Sequence, residues 1–485
     1  MNKDNDTICA VSTPHGEGGL AVVRLSGPRA LDIADAAWKG RPLREAESHT
    51  AHFGTITADS DGSPLDEAVA TIFRGPRSFT GEDVVEFSCH GSRWIQREVV
   101  ARLVALGARP AEAGEFSQRA FLNGRIDLAQ AEGIADLIAA SSRAAHRLAM
   151  RQVKGSFSRR LDEMRAKLVD LASLLELELD FSEEDVEFAD RSRLLALADE
   201  TILLVERLAD SYKAGQAFKE GVPVVIAGRP NAGKSTLLNR LLHDDRAIVS
   251  DIPGTTRDII EDTREIGGIL FRFYDTAGLR DTADTVELLG IERARAALEK
   301  AQIVLWLLDP TQPDHASDLE QIRRHAAELP EARHFLLVNK SDLRTSDSES
   351  PSDRGGETPT IADAGMQTPS GAGDHALIDA GMQSLRISAK EGEGIAELEK
   401  MMVRAATLAH DPESELIVTN ARHAEALRKG ADALKRGREC LEQGISADFT
   451  AQDIREALHH LGTVTGAVTT DTLLHSIFTR FCVGK

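Results

Sequence analysis

The stretch Gly228-Arg229-Pro230-Asn231-Ala232-Gly233-Lys234-Ser235 decides the fold of the domain that contains it, because it fits the phosphate-loop pattern G-x-x-x-x-G-K-[ST]. The apolar run at 222–227 predicts a buried parallel strand, and residues 236–242 predict an amphipathic helix. The backbone N–H groups of such a loop face a phosphate at a helix N-terminus. We expect Lys234 to neutralise the β- and γ-phosphates and the Ser235 hydroxyl to bind Mg²⁺. A chance glycine-rich turn fits poorly, because strand, loop and helix agree.

Three later motifs identify the base. Asp275-Thr276-Ala277-Gly278 follows an apolar run, where the aspartate can reach Mg²⁺ through water and the glycine N–H can contact the γ-phosphate. The aspartate of Asn339-Lys340-Ser341-Asp342 can accept hydrogen bonds from N1–H and the 2-amino group of guanine, a donor pair that adenine lacks. Ser388-Ala389-Lys390 can contact the guanine O6 through its backbone. Four motifs in this order predict a GTP site.

The residues expected to bind GTP combine these motifs with a threonine pair that fills the switch position. They are Asn231, Ala232, Gly233, Lys234, Ser235, Thr236, Thr255, Thr256, Asp275, Thr276, Ala277, Gly278, Asn339, Lys340, Asp342, Ser388, Ala389 and Lys390. One threonine is expected to cover Mg²⁺ beside Ser235. Thr256 is the preferred ligand, although the choice between Thr255 and Thr256 stays open.

Leu279 stands where Ras-like enzymes carry a glutamine that orients the attacking water. Leucine cannot do this, so hydrolysis is either very slow or depends on another group. Glu287 is a candidate that could act through a bridging water, and the alternative is an exposed carboxylate at a helix start. Arg280 is near, but it can equally pair with an acid.

Composition limits the class of protein. A length of 485 residues predicts about three domains. The net charge of −21 disfavours non-specific nucleic-acid binding, so any RNA partner needs a local basic patch or a basic protein partner. Four cysteines without C-x-x-C spacing fit a reducing cytosol. The polar first residues, and the lack of an apolar run of bilayer length, predict a cytoplasmic protein without stable membrane association.

The chain is predicted to be multidomain. Residues 1–120 form an α+β domain, residues 121–216 a first helical part, residues 217–410 an α/β phosphate-loop domain and residues 411–485 a second helical part. Helical segments on both sides suggest that the nucleotide domain is inserted into one helical bundle. Residues 344–384, rich in Ser, Asp, Gly, Pro and Thr, are interpreted as a disordered insertion, with a folded partner-binding element as the minority alternative.

The predicted elements follow hydrophobic periodicity. In the first domain they are strands at 7–11, 20–25, 68–73 and 83–87 and helices at 29–38 and 93–106. Beyond it they include one helix over 191–216, a hairpin of runs 258–266 and 269–275, strands at 303–308 and 335–338, and helices at 286–302, 395–407, 421–443 and 451–461. His90 could be a ligand or a base, but without a partner at a recognisable spacing it is interpreted as a structural loop residue.

With these motifs, the chain resembles the MnmE (TrmE) family of bacterial GTPases of tRNA wobble-uridine modification, over nearly its full length. The distinctive matches are Gly114-Glu115-Phe116-Ser117-Gln118-Arg119-Ala120-Phe121-Leu122-Asn123-Gly124-Arg125-Ile126-Asp127-Leu128 and the terminal Phe481-Cys482-Val483-Gly484-Lys485. The acidic break at 180–185 and the phosphate-loop and switch motifs add to them.

The resemblance implies a potassium-activated GTPase whose nucleotide domains dimerise across their nucleotide faces. It assigns the potassium shell to Asn231, Ser250, Ile252 and Thr255. A monovalent cation there places positive charge where negative charge develops, as an arginine finger does. Glu287 matches the water-orienting glutamate of the family. Cys482 matches a cysteine proposed to take part in the modification, and a buried inert cysteine is the alternative.

The resemblance also implies a folate-binding N-terminal domain that makes the protein a homodimer. The expected one-carbon donor is a tetrahydrofolate, 5,10-methylenetetrahydrofolate, with Arg24 as its contact. The implied partners are tRNA and MnmG, which carries FAD. Together they add an aminomethyl or carboxymethylaminomethyl group to C5 of the wobble uridine, U34, from ammonium or glycine.

Two other functions compete with this one. A ribosome-assembly GTPase of the Era or Der type shares the nucleotide domain, but a KH-type RNA module follows it there, and no G-x-x-G clamp follows it here. A folate-dependent methyl-transfer enzyme with a degenerate GTPase is disfavoured by the intact nucleotide motifs.

Overall fold

The computed structural model describes residues 6–59, 61–180, 191–243, 262–275, 298–312, 315–343, 382–408, 412, 416–445, 447–479, 481 and 484. The chain divides into two compact units. Unit 1 comprises Met1–Ala139, Ala149–Ala209 and Arg422–Lys485. Unit 2 comprises Ala140–Leu148 and Asp210–Ala421.

The first part of unit 1 is a sheet covered by two helices. Its strands are β1 (Ile8–Val11), β2 (Gly18–Ser26), β3 (Trp38–Lys39), β4 (Thr50–Thr57), β5 (Pro64–Phe73), β6 (Val84–Gly91) and β7 (Arg109–Pro110), and its helices are α1 (Ala30–Ala36) and α2 (Arg93–Ala105). The strand order is β3-β4-β5-β6-β2-β1-β7. Neighbours are antiparallel except β1 and β7. Alternate residues such as Val23 and Phe87 point into the core, as a half-buried sheet requires.

The four strands and two helices predicted for this part are confirmed, with shifted ends. Strands β3, β4 and β7 were not predicted. Strands β3 and β7 have two residues each, too few to show an alternation, and β4 mixes polar residues and a glycine with apolar ones. The interpretation of His90 as a loop residue is wrong. It lies in β6, and its Nδ1 is 2.7 Å from Oδ1 of Asp66 on the neighbouring strand β5.

Six helices follow in chain order. They are α3 (Glu115–Leu122), α4 (Leu128–Ala139), α5 (Arg143–Val153), α6 (Ser156–Asp180), α7 (Arg191–Asp210) and α8 (Tyr212–Glu220). The predicted single helix over 191–216 is wrong, since α7 ends before Ser211 and α8 begins after it. The Ser211 hydroxyl accepts a hydrogen bond from the Val418 N–H at 3.0 Å. Of the acidic break predicted at 180–185, Asp180 is the last residue of α6, and residues 181–185 lie outside the described residues.

Unit 2 contains a mostly parallel sheet with helices. Its strands are β8 (Val222–Gly228), β9 (Asp262–Ile266), β10 (Ile269–Asp275), β11 (Ile303–Leu308), β12 (Arg333–Val338) and β13 (Gln383–Arg386), and its helices are α9 (Lys234–His243), α10 (His315–Glu328) and α11 (Ile395–Thr407). The strand order is β13-β12-β11-β8-β10-β9, and only β9 is antiparallel to its neighbour. The carboxyl ends of parallel strands meet at one edge, where ligands bind in such sheets.

The hairpin predicted around Gly267-Gly268 is confirmed as β9 and β10, and both glycines take the positive φ that its turn requires. Strand β13 begins at Gln383, so the last two residues of the predicted 344–384 insertion belong to the sheet instead. Residues 344–381 lie outside the described residues, as does most of the predicted helix at 286–302.

Three more helices complete unit 1, namely α12 (Ala421–Gln443), α13 (Ala447–Thr465) and α14 (Asp471–Phe478). Helix α12 has the bounds that periodicity predicts. Helix α13 is longer than the predicted 451–461 and packs along α6. In the described ranges, no helix combines the length and the apolar character that a membrane crossing requires.

A buried charge cluster joins α4 to α12 inside unit 1. The Glu132 carboxylate accepts hydrogen bonds from Arg422 at 2.7 and 3.1 Å and lies 2.6 Å from Nε2 of His423, which is 1% exposed. Burial acts to raise the pKa of Glu132, but the attraction and hydrogen bonds of His423 and Arg422 outweigh it and lower the pKa to about 2. The cluster fixes which faces of the two helices meet.

We expect Glu132→Gln to destabilise the protein at pH 7 by about 3 kcal/mol or more, because it leaves the partly buried Arg422 guanidinium without its counter-charge. Thermal unfolding followed by circular dichroism measures this. Glu425→Gln, which removes an exposed carboxylate on α12, is the control and should change little.

The pH dependence has a definite sign. The folded-state pKa of Glu132 is below its ordinary value, so its contribution is complete above about pH 4.5 and is lost as the pH falls towards 2. The stability difference between wild type and Glu132→Gln should therefore shrink over that interval. An equal difference at pH 7 and pH 3 contradicts the assignment.

Candidate nucleotide site

The phosphate loop connects β8 to α9 in a backbone conformation that its sequence encodes. Gly228 and Gly233 have φ values of 150° and 100°, in the region that glycine adopts without strain. Asn231 has φ 64°, a left-handed conformation in which asparagine is enriched. The loop thus curls between strand and helix as a phosphate cradle requires, and Asn231 is exposed on it.

Asn339 joins this loop to the loop that follows β13. Its Nδ2 donates a hydrogen bond to the Ala232 carbonyl at 2.8 Å, and its Oδ1 accepts one from the Ala389 N–H at 3.0 Å. The residue is 3% exposed, so neither bond competes with water. A Cβ on Gly233 would lie 2.3 Å from Asn339 Nδ2, which leaves no room for any other residue there. Asn339 therefore serves the site by holding two loops together.

Lys234 is the first residue of α9 and lies in the last part of the phosphate loop. Its Nζ donates hydrogen bonds to the carbonyls of Gly228 at 2.9 Å and Arg229 at 2.8 Å. The side chain is 7% exposed, so its positive charge is held inside the loop. Ser235 and Thr236 follow on the first helical turn and are exposed. This order places one buried cation and two hydroxyl groups at a helix N-terminus, where phosphate and its metal ion bind.

Asp342 and Ser388 meet at the base side of the site. The buried Ser388 hydroxyl donates to Oδ1 of Asp342 at 2.7 Å and accepts from the Glu391 N–H at 3.1 Å. The hydrogen bond from Ser388 lowers the pKa of Asp342. The carboxylate is exposed and ionised at neutral pH, as an acceptor for the N1–H and 2-amino groups of guanine has to be.

Lys340, which follows Asn339 in the Asn339–Asp342 motif, pairs with Asp309, the residue directly after β11. Its Nζ lies 2.6 Å from Oδ2 of Asp309. Burial acts to raise the pKa of Asp309, but hydrogen bonds from Lys340 and Thr311 outweigh it and lower the pKa. The sequence analysis missed Asp309. Its position directly after a buried strand is the signal that could have found it.

The structure thus brings together the phosphate loop, Asn339, Lys340, Asp342 and the loop 388–390 at the carboxyl edge of the sheet of unit 2. Asp275 ends β10 at the same edge, opposite Ile226 of β8. Other predicted site residues lie outside the described residues: Ser250, Ile252, Thr255, Thr256, Thr276, Ala277, Gly278, Glu287 and Cys482. Their roles stay predictions.

Arg24 belongs to β2 of unit 1. Its Nε is 2.8 Å from Oε1 of Glu86, and its guanidinium lies 5.5 Å from the ring centroids of both Phe79 and Phe116. The Arg24 guanidinium is therefore paired with Glu86 and lies near two aromatic rings. Its role as a folate contact stays a prediction.

Comparison with known proteins covers almost the whole chain. The family model of the MnmE helical domain matches residues 128–482, and the model of the GTP-binding protein TrmE N-terminus matches residues 7–125. The tRNA modification GTPase MnmE of Bacteroides thetaiotaomicron is 46% identical over 99% of this chain and 100% of that protein. The protein of the same name from Parabacteroides distasonis is 45% identical over the same shares of the two chains.

A solved structure of Era from Aquifex aeolicus is also similar. It is 26% identical, and the match covers 43% of this chain and 65% of that chain with a TM-score of 0.26. That score is too low to support an argument.

Proposed function

The chain belongs to the MnmE family of tRNA modification GTPases, and from this premise we propose that it couples GTP hydrolysis to modification of C5 of the wobble uridine of certain tRNAs. The observation that carries the proposal is the Asn339 contact. It joins a phosphate loop to a guanine-reading loop within a chain that matches MnmE relatives over 99% of its length.

GTP would be held at both ends by unit 2. Asn231, Ala232, Gly233, Lys234, Ser235 and Thr236 face the phosphates in this proposal, and Asp342, Ala389 and Lys390 face the base. The cradle fits a phosphate chain, because its left-handed turns expose backbone N–H groups beside the buried Lys234 cation. Ser235 and Thr256 would hold Mg²⁺, which would neutralise phosphate charge.

A potassium ion is the proposed substitute for an arginine finger. Asn231 is exposed in a left-handed turn of the phosphate loop, and its side-chain oxygen suits a monovalent cation. Ser250, Ile252 and Thr255 complete the proposed shell. Because Leu279 cannot orient water, Glu287 is assigned that role, acting as a hydrogen-bond acceptor through a bridging water.

The domain boundaries of the proposal are 1–120, 121–216, 217–410 and 411–485, with the nucleotide domain inserted in a helical domain. The chain segments that make up the two units support this arrangement. Unit 1 resumes at Arg422, after the continuous stretch Asp210–Ala421 of unit 2.

Association of two chains through the N-terminal sheet is supported by apolar side chains on its outer face. Phe53 and Val69 lie directly opposite each other on β4 and β5 and are 70% and 37% exposed. Leu20 on β2 is 71% exposed. Exposed apolar residues of this size on one sheet are typical of an interface, and a second copy of the chain is the proposed occupant.

The modification itself is proposed to draw on a tetrahydrofolate one-carbon donor in the N-terminal domain and on MnmG, whose FAD belongs to the partner. Arg24 is the proposed folate contact, because a glutamylated folate needs cations; its guanidinium is paired with Glu86 and lies 5.5 Å from the ring centroids of Phe79 and Phe116. Cys482 is the proposed reactive group. Together with tRNA, these partners place the protein in the cytoplasm.

GTP turnover should rise at least about ten-fold when K⁺ replaces Na⁺, because the cation stabilises charge at the bridging oxygen. Asn231→Ala should weaken this response, and Asn239→Ala, an exposed asparagine on α9, should not. Phosphate release at matched ionic strength measures both. Equal turnover of the wild-type protein in the two salts excludes the cation mechanism.

Deletion of the gene should remove the C5 modification of wobble uridine, and the wild-type gene should restore it. Mass spectrometry of tRNA nucleosides measures this. A Cys482→Ser gene should fail to restore the modification although its product still hydrolyses GTP. An unchanged nucleoside profile after deletion refutes the proposed pathway.

A further inference from the structure

We propose that Arg240 is a positioning residue that aims the Lys390 N–H at the O6 atom of guanine. The inference rests on the proposed GTP site and deepens it. Arg240 lies on α9 but belongs to none of the four nucleotide motifs. The inference therefore adds a new side chain to the residues that recognise the base.

Arg240 makes two contacts with the loop that follows β13. Its Nε donates a hydrogen bond to the Ala389 carbonyl at 3.3 Å, and its Nη2 donates to the Lys390 carbonyl. The guanidinium presents both donors from one rigid plane, so the two carbonyls are held in a fixed relation to each other. Arg240 is half-buried, and of its two bonds the one to the Ala389 carbonyl is partly buried while the one to the Lys390 carbonyl is exposed.

The consequence follows from the planarity of the peptide bond. The Ala389 carbonyl and the Lys390 N–H belong to one planar unit and point in opposite directions. A donor that holds the carbonyl therefore sets the direction of the N–H. A cation on the carbonyl oxygen also polarises the unit and makes its N–H a better donor.

The neighbouring peptide groups of this loop are occupied by other partners. The Ala389 N–H donates to Asn339 Oδ1, and the Ser388 carbonyl accepts from the Gly392 N–H at 2.8 Å. The Glu391 N–H donates to the Ser388 hydroxyl. The Lys390 N–H makes no backbone hydrogen bond within the part of the chain that the structure describes. It is thus the donor that remains for the base in this loop.

The same contact ties the base to the phosphates. Helix α9 begins at Lys234 in the phosphate loop, and Arg240 lies less than two turns further along it. A helix is stiff over this distance, so Arg240 sets the spacing between the phosphate cradle and the donor for O6. With Asn339, the loop 388–390 has two independent attachments to the phosphate side of the site.

A pair of ligands separates this role from a general loss of structure. GDP and 6-thio-GDP offer the same N1–H and 2-amino donors to Asp342, but sulfur is a weaker acceptor than oxygen at position 6. We expect Arg240→Ala to weaken GDP binding by about five- to ten-fold, the value of one hydrogen bond. Binding of 6-thio-GDP should weaken by less than about two-fold. Isothermal titration calorimetry on the full chain measures both dissociation constants.

Two further variants complete the test. Arg240→Lys keeps one cationic donor and should retain part of the preference for GDP over 6-thio-GDP. It replaces Arg240→Ala in the test if that variant does not fold. Arg386→Ala removes an exposed arginine from β13 and should leave both dissociation constants unchanged.

The possible results distinguish the role of Arg240 from the proposed GTP site on which it rests. Equal weakening of both ligands by Arg240→Ala, or no weakening of either, overturns the positioning role. Arg240→Lys decides the test if Arg240→Ala does not fold. In that case, an unchanged preference of Arg240→Lys for GDP over 6-thio-GDP overturns the positioning role. If the wild-type chain binds neither ligand, the proposed nucleotide site itself fails.

Discussion

The nucleotide site of this protein depends on one buried carboxamide. Both ends of the Asn339 side chain form hydrogen bonds with backbone groups. The Nδ2 donates to the Ala232 carbonyl of the phosphate loop, and the Oδ1 accepts from the Ala389 N–H of the base loop. Each net hydrogen bond is worth about 1 kcal/mol, but leaving a buried partner unsatisfied costs about 1–3 kcal/mol. Because the loops are more than a hundred residues apart in sequence, nothing local holds them in register. The carboxamide therefore holds the two loops next to each other, so that they form one site.

The charged groups around this contact are held by hydrogen bonds or ion pairs. Lys234 lies against loop carbonyls, Lys340 pairs with Asp309, and Ser388 donates to Asp342. The site is thereby preorganised, since few side chains have to be reoriented when a nucleotide arrives. Unit 1 follows the same rule at a different place, where Glu132 is buried with Arg422 and His423 between α4 and α12. In both units a buried polar contact specifies which elements meet.

Much of this could be predicted from the sequence, because the phosphate loop, the base motifs and the hairpin at Gly267-Gly268 are local patterns with local causes. Family membership was likewise carried by contiguous motifs, and the comparisons confirm it. The contacts of Arg240, Asp309 and Asp66 were not predictable, since each joins residues far apart in sequence and periodicity carries no information about partners. The helix predicted over 191–216 failed because the break at Ser211 is set by a tertiary contact with Val418, not by a proline or a turn sequence. Strand β4 was missed because its sequence mixes glycine and polar residues with apolar ones.

The central claim is that Asn339 holds the phosphate and base loops together. Hydrogen exchange of the Ala389 amide in the nucleotide-free protein tests it most directly, with wild type and Asn339→Ala compared under identical conditions. The amide should be protected in the wild-type protein and should exchange at least about ten-fold faster in the variant, while core amides of β8 and β11 keep their protection. Equal protection of Ala389 in the two proteins would contradict the account.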